Sequence, residues 1–431
     1  MSNPLRLPTS RRIGFISTRF LGTDGVSLET GKWAQVLGRL GHACFYLAGA
    51  SDRPPECSRG VPEMLFTHPD IQVIYGTAFS QRTRPPEITR LVHQLKDHLK
   101  ERIYAFVRDF DIELLIPQNA LAIPMNIPLG LALTEFIAET SFPTIAHHHD
   151  FFWERKRFLV NCVWDYLNMA FPPHLSSIRH VVINSSAANQ LSLRTGISSL
   201  LVPNVMDFDH PPPPPDEYAR DVRQTLGVLP DEKLFLQPTR VVQRKGIEHA
   251  IELVKRLAEG KARLVISHAA GDEGDDYERR VREFAKLLQV QTNFVSDIIK
   301  DQRGQTQDGR KIYTLGDVYP QADLVTYPSD IEGFGNAFLE AIYFRRPIVV
   351  NNYSIFDTDI KPKGFRVIEF DGFVMDETVQ RVQQVLHDPQ LTQEMTEYNY
   401  QLAQRHYSYA VLERRLQTLI ADCFGEQPYD R

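Results

Sequence analysis

The stretch at residues 322–341 constrains the fold of this 431-residue chain more than any other. Ala322-Asp323-Leu324-Val325-Thr326-Tyr327, bounded by Pro320 and Pro328, reads as a short buried strand. Ala337, Phe338, Ala341 and Ile342 then recur at helical spacing. Between them lies Glu332-Gly333-Phe334-Gly335-Asn336, a strand-to-helix turn. Open α/β sheets place ligands at the carboxyl ends of their strands, where such turns lie. The two glycines let a ligand approach the backbone closely. The unpaired N–H groups at 335–338 favour an anion. Glu332 and Glu340 flank that anion, since the helix rises only about 6 Å from Asn336 to Glu340. Ionised carboxylates only accept hydrogen bonds, so hydroxyls are their partners. A diphosphate in the middle with hydroxyls at both ends describes a nucleotide-sugar.

The length suggests two domains of roughly 200 residues each. A net charge of −6 argues against nonspecific nucleic-acid binding as the main role. Cys44, Cys57, Cys162 and Cys423 are scattered with no CxxC pair, a reduced, cytoplasmic pattern. Residues 1–12 are polar, which predicts no secretory signal. The most apolar region, 114–138, is broken by Pro117, Pro124, Asn126, Pro128 and Glu135, so no transmembrane segment is expected. A peripheral contact with a membrane surface stays open.

The first half alternates strands and helices. Residues 12–17 read as a strand, 28–40 as a helix and 43–47 as a second strand, a βαβ unit. The intervening loop, with Gly22 and Gly25, lacks the GxGxxG of a dinucleotide site. A strand is expected at 71–75, a long helix at 88–110, a strand at 111–116 and a helix at 126–139. Asn119 follows a strand end, where a ligand contact fits. Residues 143–146 start a strand that runs into His147-His148-His149-Asp150. On a strand His147 and His149 share one face and His148 takes the other. A catalytic metal needs about three protein ligands, so this cluster offers too few by itself. The following FFWERKR has aromatics suited to sugar faces, and Arg155, Lys156 and Arg157 suit an anionic acceptor. Residues 180–186 and 200–207 give further strands. The five prolines at 211–215 are stiff and cannot pair in a sheet, which marks a linker.

The second half starts again with a strand at 233–237 and a helix at 247–259. Between them Arg240 and Lys245 stand where a phosphate would sit. A strand at 262–268, a helix at 276–288, a strand and turn at 290–299 and a polar loop at 301–310 precede the central motif. A strand at 347–352 and helices at 377–406 and 407–424 complete the chain.

Glu332 and Glu340, with seven residues between them in EGFGNAFLEA, resemble the E-x7-E motif of retaining GT-B glycosyltransferases, family 4. The match extends over most of the chain. GTDGVSLETGKWAQVLGRLGH resembles that family's first glycine-rich loop and helix, and TRVVQRKG its GR-x4-KG segment with threonine in place of glycine. PNVMD at 203–207 resembles its PNGVD, with valine replacing the glycine. The resemblance implies an α/β protein of GT-B architecture, two Rossmann-like domains facing a central cleft. Residues 1–210 would form the acceptor-side domain, with 407–431 packing back on it, and 211–406 the donor-binding domain. It implies transfer of a hexosyl group from a UDP- or GDP-sugar to an acceptor hydroxyl, with retention, no cofactor and no metal. Gly22, Gly25, Arg240, Lys245, Glu332, Gly333, Phe334, Gly335, Asn336 and Glu340 would bind the donor. Arg240 and Lys245 would hold the diphosphate, Glu332 the sugar and Glu340 the ribose. His149 would touch the sugar or its departing phosphate. Asp150, Arg155 and Asn119 are the acceptor-side candidates, and the basic FFWERKR points to a small anionic acceptor such as a sugar phosphate or glycerate derivative. Two other readings stand beside this one. One is a metal-dependent hydrolase built on His147, His149 and Asp150; the other is a non-catalytic nucleotide-sugar binding protein.

Overall fold

The computed structural model describes residues 10–426 except 23, 258–260 and 272–273; the expected helix end at Glu259 and the tail at 427–431 lie outside the described residues. The chain forms two compact units, one running to Val205 and resuming at Tyr409, the other spanning Met206–Ser408.

The first unit contains β1 (Arg12–Ile16), α1 (Gly25–Arg39), β2 (Ala43–Ala48), β3 (Ser58–Gly60), α2 (Pro69–Ala78), α3 (Pro86–Asp109) and β4 (Leu114–Pro117). It continues with α4 (Ile127–Thr140), β5 (Thr144–His148), α5 (Trp164–Ala170), β6 (Ile178–Val182), α6 (Ser185–Thr195) and β7 (Ser199–Leu201). Its seven strands lie in the order β3-β2-β1-β4-β5-β6-β7, and β1 pairs in parallel with both β2 and β4. Such a sheet is covered on both faces, which is why β4 and β5 are buried throughout. On one face Ile16, Leu115 and Ala146 pack with Leu99, Ile103 and Phe106 of α3 and Leu133 and Phe136 of α4. On the other, Ile13, Phe15 and Ile145 meet Trp33, Val36 and Leu37 of α1.

The strand expected at 71–75 is a helix. Pro69 opens α2, and Ile71, Ile74 and Ala78 are buried at helical spacing while Val73 is 53% exposed. A five-residue, largely apolar run cannot by itself separate the two periods; Pro69 at the first turn and the burial of one face separate them.

The second unit contains α7 (Val222–Thr225), β8 (Lys233–Gln237), α8 (Ile247–Arg256), β9 (Ala262–Ile266), α9 (Asp276–Leu288), β10 (Thr292–Phe294), β11 (Gly304–Gln305) and β12 (Lys311–Ile312). There follow α10 (Leu315–Val318), β13 (Leu324–Tyr327), α11 (Asn336–Tyr343), β14 (Ile348–Asn351), β15 (Ile368–Phe370), α12 (Asp376–His387) and α13 (Pro389–Tyr407). Six strands form a sheet in the order β10-β9-β8-β13-β14-β15, again parallel. β11 and β12 make a separate antiparallel hairpin, so the polar stretch at 301–310 is not wholly a loop. The last helix, α14 (Tyr409–Phe424), belongs to the first unit. Its Leu412, Leu416, Leu419 and Ile420, one stripe of the helix, join the cluster around Trp33. Among the described residues no helix is long and apolar enough to cross a membrane.

In each sheet the strand order reverses once, between β1 and β4 in the first and between β8 and β13 in the second. Ligands of open α/β sheets bind at the carboxyl ends of the strands at these switch points. Both groups of candidate residues lie there.

Candidate active site

At the second switch point two loops leave adjacent strands and lock together. The β8–α8 loop and the turn after β13 are joined by Asp330 N donating to Arg244 O at 2.9 Å. Gly246 has φ +56°, and a Cβ there would come within 2.4 Å of Pro328 O, so only glycine allows this approach. Lys245 Nζ donates to Glu332 Oε1, and Arg244 Nη1 stands 3.6 Å from Glu332 Oε2. The Lys245 and Glu332 side chains are only 10% and 9% exposed. Burial works against both charges. The Lys245 ammonium nevertheless holds the Glu332 carboxyl below the usual glutamate value, while burial pulls Lys245 down. The pair is an ionised acceptor–donor couple with little water around it.

Glu332 lies against the Tyr327 phenol, which burial and the carboxylate push up. Gly335 caps α11 with φ +116°, and a Cβ there would meet Tyr353 Oη at 2.6 Å and Tyr327 Oη at 3.0 Å. The turn therefore needs glycine both for its backbone and for the two tyrosines beneath it. Tyr353 Oη donates to Phe334 O at 2.8 Å. The Phe334 ring itself is buried edge-on against Tyr407, centroids 5.3 Å apart, so only its backbone is left for a ligand. Asn336 starts α11, and Glu340, one turn later, accepts a 2.7 Å hydrogen bond from the buried Tyr319 Oη. Arg240 is exposed at the end of β8, with its side chain passing over Gly271. His268, after β9, is held by Ser267 Oγ at 2.8 Å; burial lowers its pKa, and the nearby Arg240 and Lys245 charges lower it further.

At the first switch point the groups are of another kind. Gln118 is fully buried, and its Oε1 lies 2.9 Å from His147 Nδ1 and 3.1 Å from His149 Nε2. The His147 ring stacks on Trp33 at 4.2 Å. His148 faces the other side of the sheet, 2.9 Å from His180 Nδ1, as strand alternation requires. Burial lowers all four imidazoles, to about 4 for His149 and His180. Asn119 adopts φ +57° and clamps the turn after β5: its Nδ2 donates to Asp150 Oδ1 at 2.8 Å and its Oδ1 accepts from His149 N at 3.0 Å. Asp150 pairs with the half-exposed Arg155. Gly22 has φ +73° and donates to Asp52 Oδ2 at 3.3 Å, and Gly25 is the first residue of α1, whose start Asp24 caps through Val26 N and Ser27 N.

The fold thus brings Lys245, Arg244 and Glu332 into contact and places His149, Asp150, Asn119 and Arg155 on one hydrogen-bonded chain. Tyr319, Tyr327, Trp33 and the anchoring role of Gln118 escape sequence reasoning. They act across the fold, and no local spacing announces them. His147 is spent on Gln118 and Trp33, and among the described residues no three His, Cys, Asp or Glu side chains are placed to hold a metal ion.

Residues 219–402 match the family model described as glycosyl transferases group 1. The chain is 31% identical over 425 residues to mannosylglucosylglycerate synthase of Thermotoga maritima, covering 90% of this chain and 95% of that protein. It is 30% identical to the mannosylglucosylglycerate synthase of Petrotoga mobilis, covering 83% of this chain and 86% of that one. Among solved structures, sucrose-phosphate synthase from Thermosynechococcus elongatus superposes with a TM-score of 0.65 at 15% identity, over 96% of this chain and 99% of that one. Anabaena Alr3699/HepE in complex with UDP and glucose superposes with a TM-score of 0.63 at 13% identity, over 96% of this chain and all of that one. These likenesses give the fold as GT-B. They do not support the hydrolase reading of the histidine cluster, because the matched relatives and family are transferases. The chain belongs to the group 1 glycosyltransferases and is an enzyme that moves a glycosyl group from a nucleotide-sugar to an acceptor hydroxyl.

Proposed function

We propose that this protein is a retaining, metal-independent hexosyltransferase of family 4 that works in the cytoplasm on a small anionic acceptor, a glycerate derivative. The observation that carries the reading is the buried Lys245–Glu332 pair beside the start of α11, a dry site offering cations, backbone N–H groups and one carboxylate together. The two relatives are named for a product built from mannose, glucose and glycerate, which supports a carboxylate-bearing acceptor.

Residues 211–406 bind the donor and residues 1–210, with 407–431, serve the acceptor. Arg240, Lys245 and the α11 start hold the diphosphate of a UDP- or GDP-sugar. Gly333, Gly335 and Asn336, with the Phe334 backbone, let that diphosphate approach. Glu332 accepts from a sugar hydroxyl and Glu340 from the ribose. Gly22 and Gly25 line the donor from the first unit, and His149 touches the sugar. Asn119, Asp150 and Arg155 meet the acceptor. The bond from the anomeric carbon to the phosphate oxygen breaks with its electron pair leaving on the diphosphate. The acceptor oxygen attacks from the same face, and its proton passes to the departing phosphate. Lys245, Arg240 and the helix start stabilise the charge that develops there, the work a divalent ion would otherwise do.

The test is turnover of UDP-glucose and GDP-mannose with glycerate, glucosylglycerate, sugar phosphates and neutral sugars, read as nucleoside diphosphate release and as anomeric configuration by NMR. Turnover with glycerate derivatives, unchanged in excess EDTA and with the donor's configuration kept, is expected. Turnover restricted to neutral sugars would overturn the anionic acceptor. Inversion would overturn the same-face route, and activity lost to EDTA and restored by Mg²⁺ would overturn metal independence. Donor binding without turnover of any acceptor would leave a non-catalytic binding protein.

A further inference from the structure

We infer that Gln118 is a positioning residue that fixes His149 as the Nε2–H tautomer, presenting the Nδ1 lone pair to the substrates. The inference rests on the placement of His149 at the sugar, and it adds a residue that acts through it. The Gln118 backbone is fixed, its N–H donating to Ile16 O at 2.8 Å and its C=O accepting from Ser17 Oγ at 3.1 Å; the side chain is fully buried, with Oε1 towards the rings and Nε2 unpaired. An amide oxygen can only accept. With Oε1 facing the rings, its 2.9 Å and 3.1 Å contacts take N–H from His147 Nδ1 and His149 Nε2. The His147 ring is packed in place, stacked on Trp33 at 4.2 Å and tilted against His149 at 4.3 Å. One oxygen thus orients two rings, and a neutral imidazole with its Nε2 proton committed has only Nδ1 left, as an acceptor. Hydroxyls are the donors that such an acceptor takes, so His149 is set to receive a hydrogen bond from a sugar or acceptor hydroxyl.

The charged groups near His149 are Asp150, paired with Arg155, and Asp24 at the start of α1, paired with Arg19. Both carboxylates favour a protonated His149, yet burial keeps the ring neutral. Neutral Gln118 adds no further charge. A carboxylate in its place would draw a proton onto the imidazoles and remove the free acceptor at Nδ1.

The experiment combines NMR of the histidine-labelled full chain with two variants. The ¹⁵N shifts of the wild type should show His149 protonated at Nε2 and bare at Nδ1; the reverse tautomer would overturn the inference. In Gln118→Glu, the kcat relative to wild type should fall about tenfold below pH 7 and return to within about twofold near pH 9, as the imidazole loses its extra proton. A ratio that stays flat across that range would mean that Gln118 only packs, and would overturn a positioning role. His149→Ala separates the two levels. If it leaves kcat and donor KM unchanged, His149 is not at the substrates and the functional part fails, while the ¹⁵N shifts still decide the tautomer.

Discussion

The two switch points differ in charge although they share one topology. The first is neutral at its buried centre, where Gln118 and Asn119 hold His147, His149 and the following turn, with the Asp150–Arg155 ion pair at its edge. The second is ionic, with buried Lys245 and Glu332 and the partly exposed Arg244 gathered together. Each sheet also has a buried glutamine at the carboxyl end of a central strand, Gln118 just after β4 and Gln237 at the end of β8. Gln237, at the end of β8, accepts from Thr326 Oγ1 at 2.7 Å and donates to Thr239 Oγ1 at 2.8 Å, a purely structural bridge. Gln118 spends its oxygen on imidazoles instead. The difference teaches that the fold supplies a place and the side chains decide its chemistry. A cationic end suits a diphosphate, and a neutral one suits hydroxyls.

The largest expected effect breaks the ionic side. Lys245→Met leaves Glu332 buried without its main partner, a change of about 3–5 kcal/mol in stability. Denaturant unfolding should show it, together with loss of donor binding. Adding Glu332→Leu should restore most of the stability and none of the activity. Recovery of turnover in the double variant would show that the pair serves the fold alone.

Next in size come the two glutamates taken singly. A hydrogen bond to a charged group is worth roughly 1.5–3 kcal/mol, or about ten- to a hundredfold in rate. Glu332→Gln should chiefly lower kcat, because the sugar it holds gains positive charge as the diphosphate leaves. Glu340→Gln should chiefly raise donor KM, because the ribose does not change along the reaction. Both parameters staying within about twofold in both variants would remove the pair from the donor.

The neutral side should reveal itself through pH. His149 and His180 titrate at about 4 in the folded chain, against 6.5 as their ordinary value. Between those values the unfolded chain binds protons that the folded chain refuses, so stability rises with pH. It should be fully present above about pH 7 and fall progressively on acidification towards pH 4. At pH 5.5 each such imidazole costs on the order of 1 kcal/mol. Melting curves between pH 4 and 8 test this; a flat profile would mean that these rings are solvated.

The smallest effect is Tyr319→Phe. It removes the phenol that orients Glu340 at 2.7 Å, so donor KM should rise by about two- to tenfold with kcat nearly unchanged. A drop in kcat instead would place Glu340 nearer the sugar than the ribose.

Much of the fold was legible because its signals are local. The proline-bounded run at β13, the glycine turn and the apolar spacing of α11 lie within twenty residues of one another, and each follows from backbone sterics or helical period. The helix at 276–288 was legible residue for residue, since its buried Tyr277, Val281 and Ala285 keep a strict four-residue spacing. The segment at 71–75 was not, since four apolar residues among five satisfy both periods until one face is buried. Lys245 and Glu332 were each visible as charges at strand ends, but their contact joins residues 87 apart.

What the sequence by itself determined is therefore the alternation of strands and helices, the positions of the turns and the kinds of side chain delivered to each strand end. Those depend on steric and hydrophobic periods that operate over a few residues. Only the tertiary structure decided that Lys245 would lose most of its water against Glu332, that Tyr319 would reach Glu340, and that Gln118 would hold two histidines with one oxygen. Charge state and tautomer depend on burial and on partners distant in the chain, and neither exists until the sheets are built.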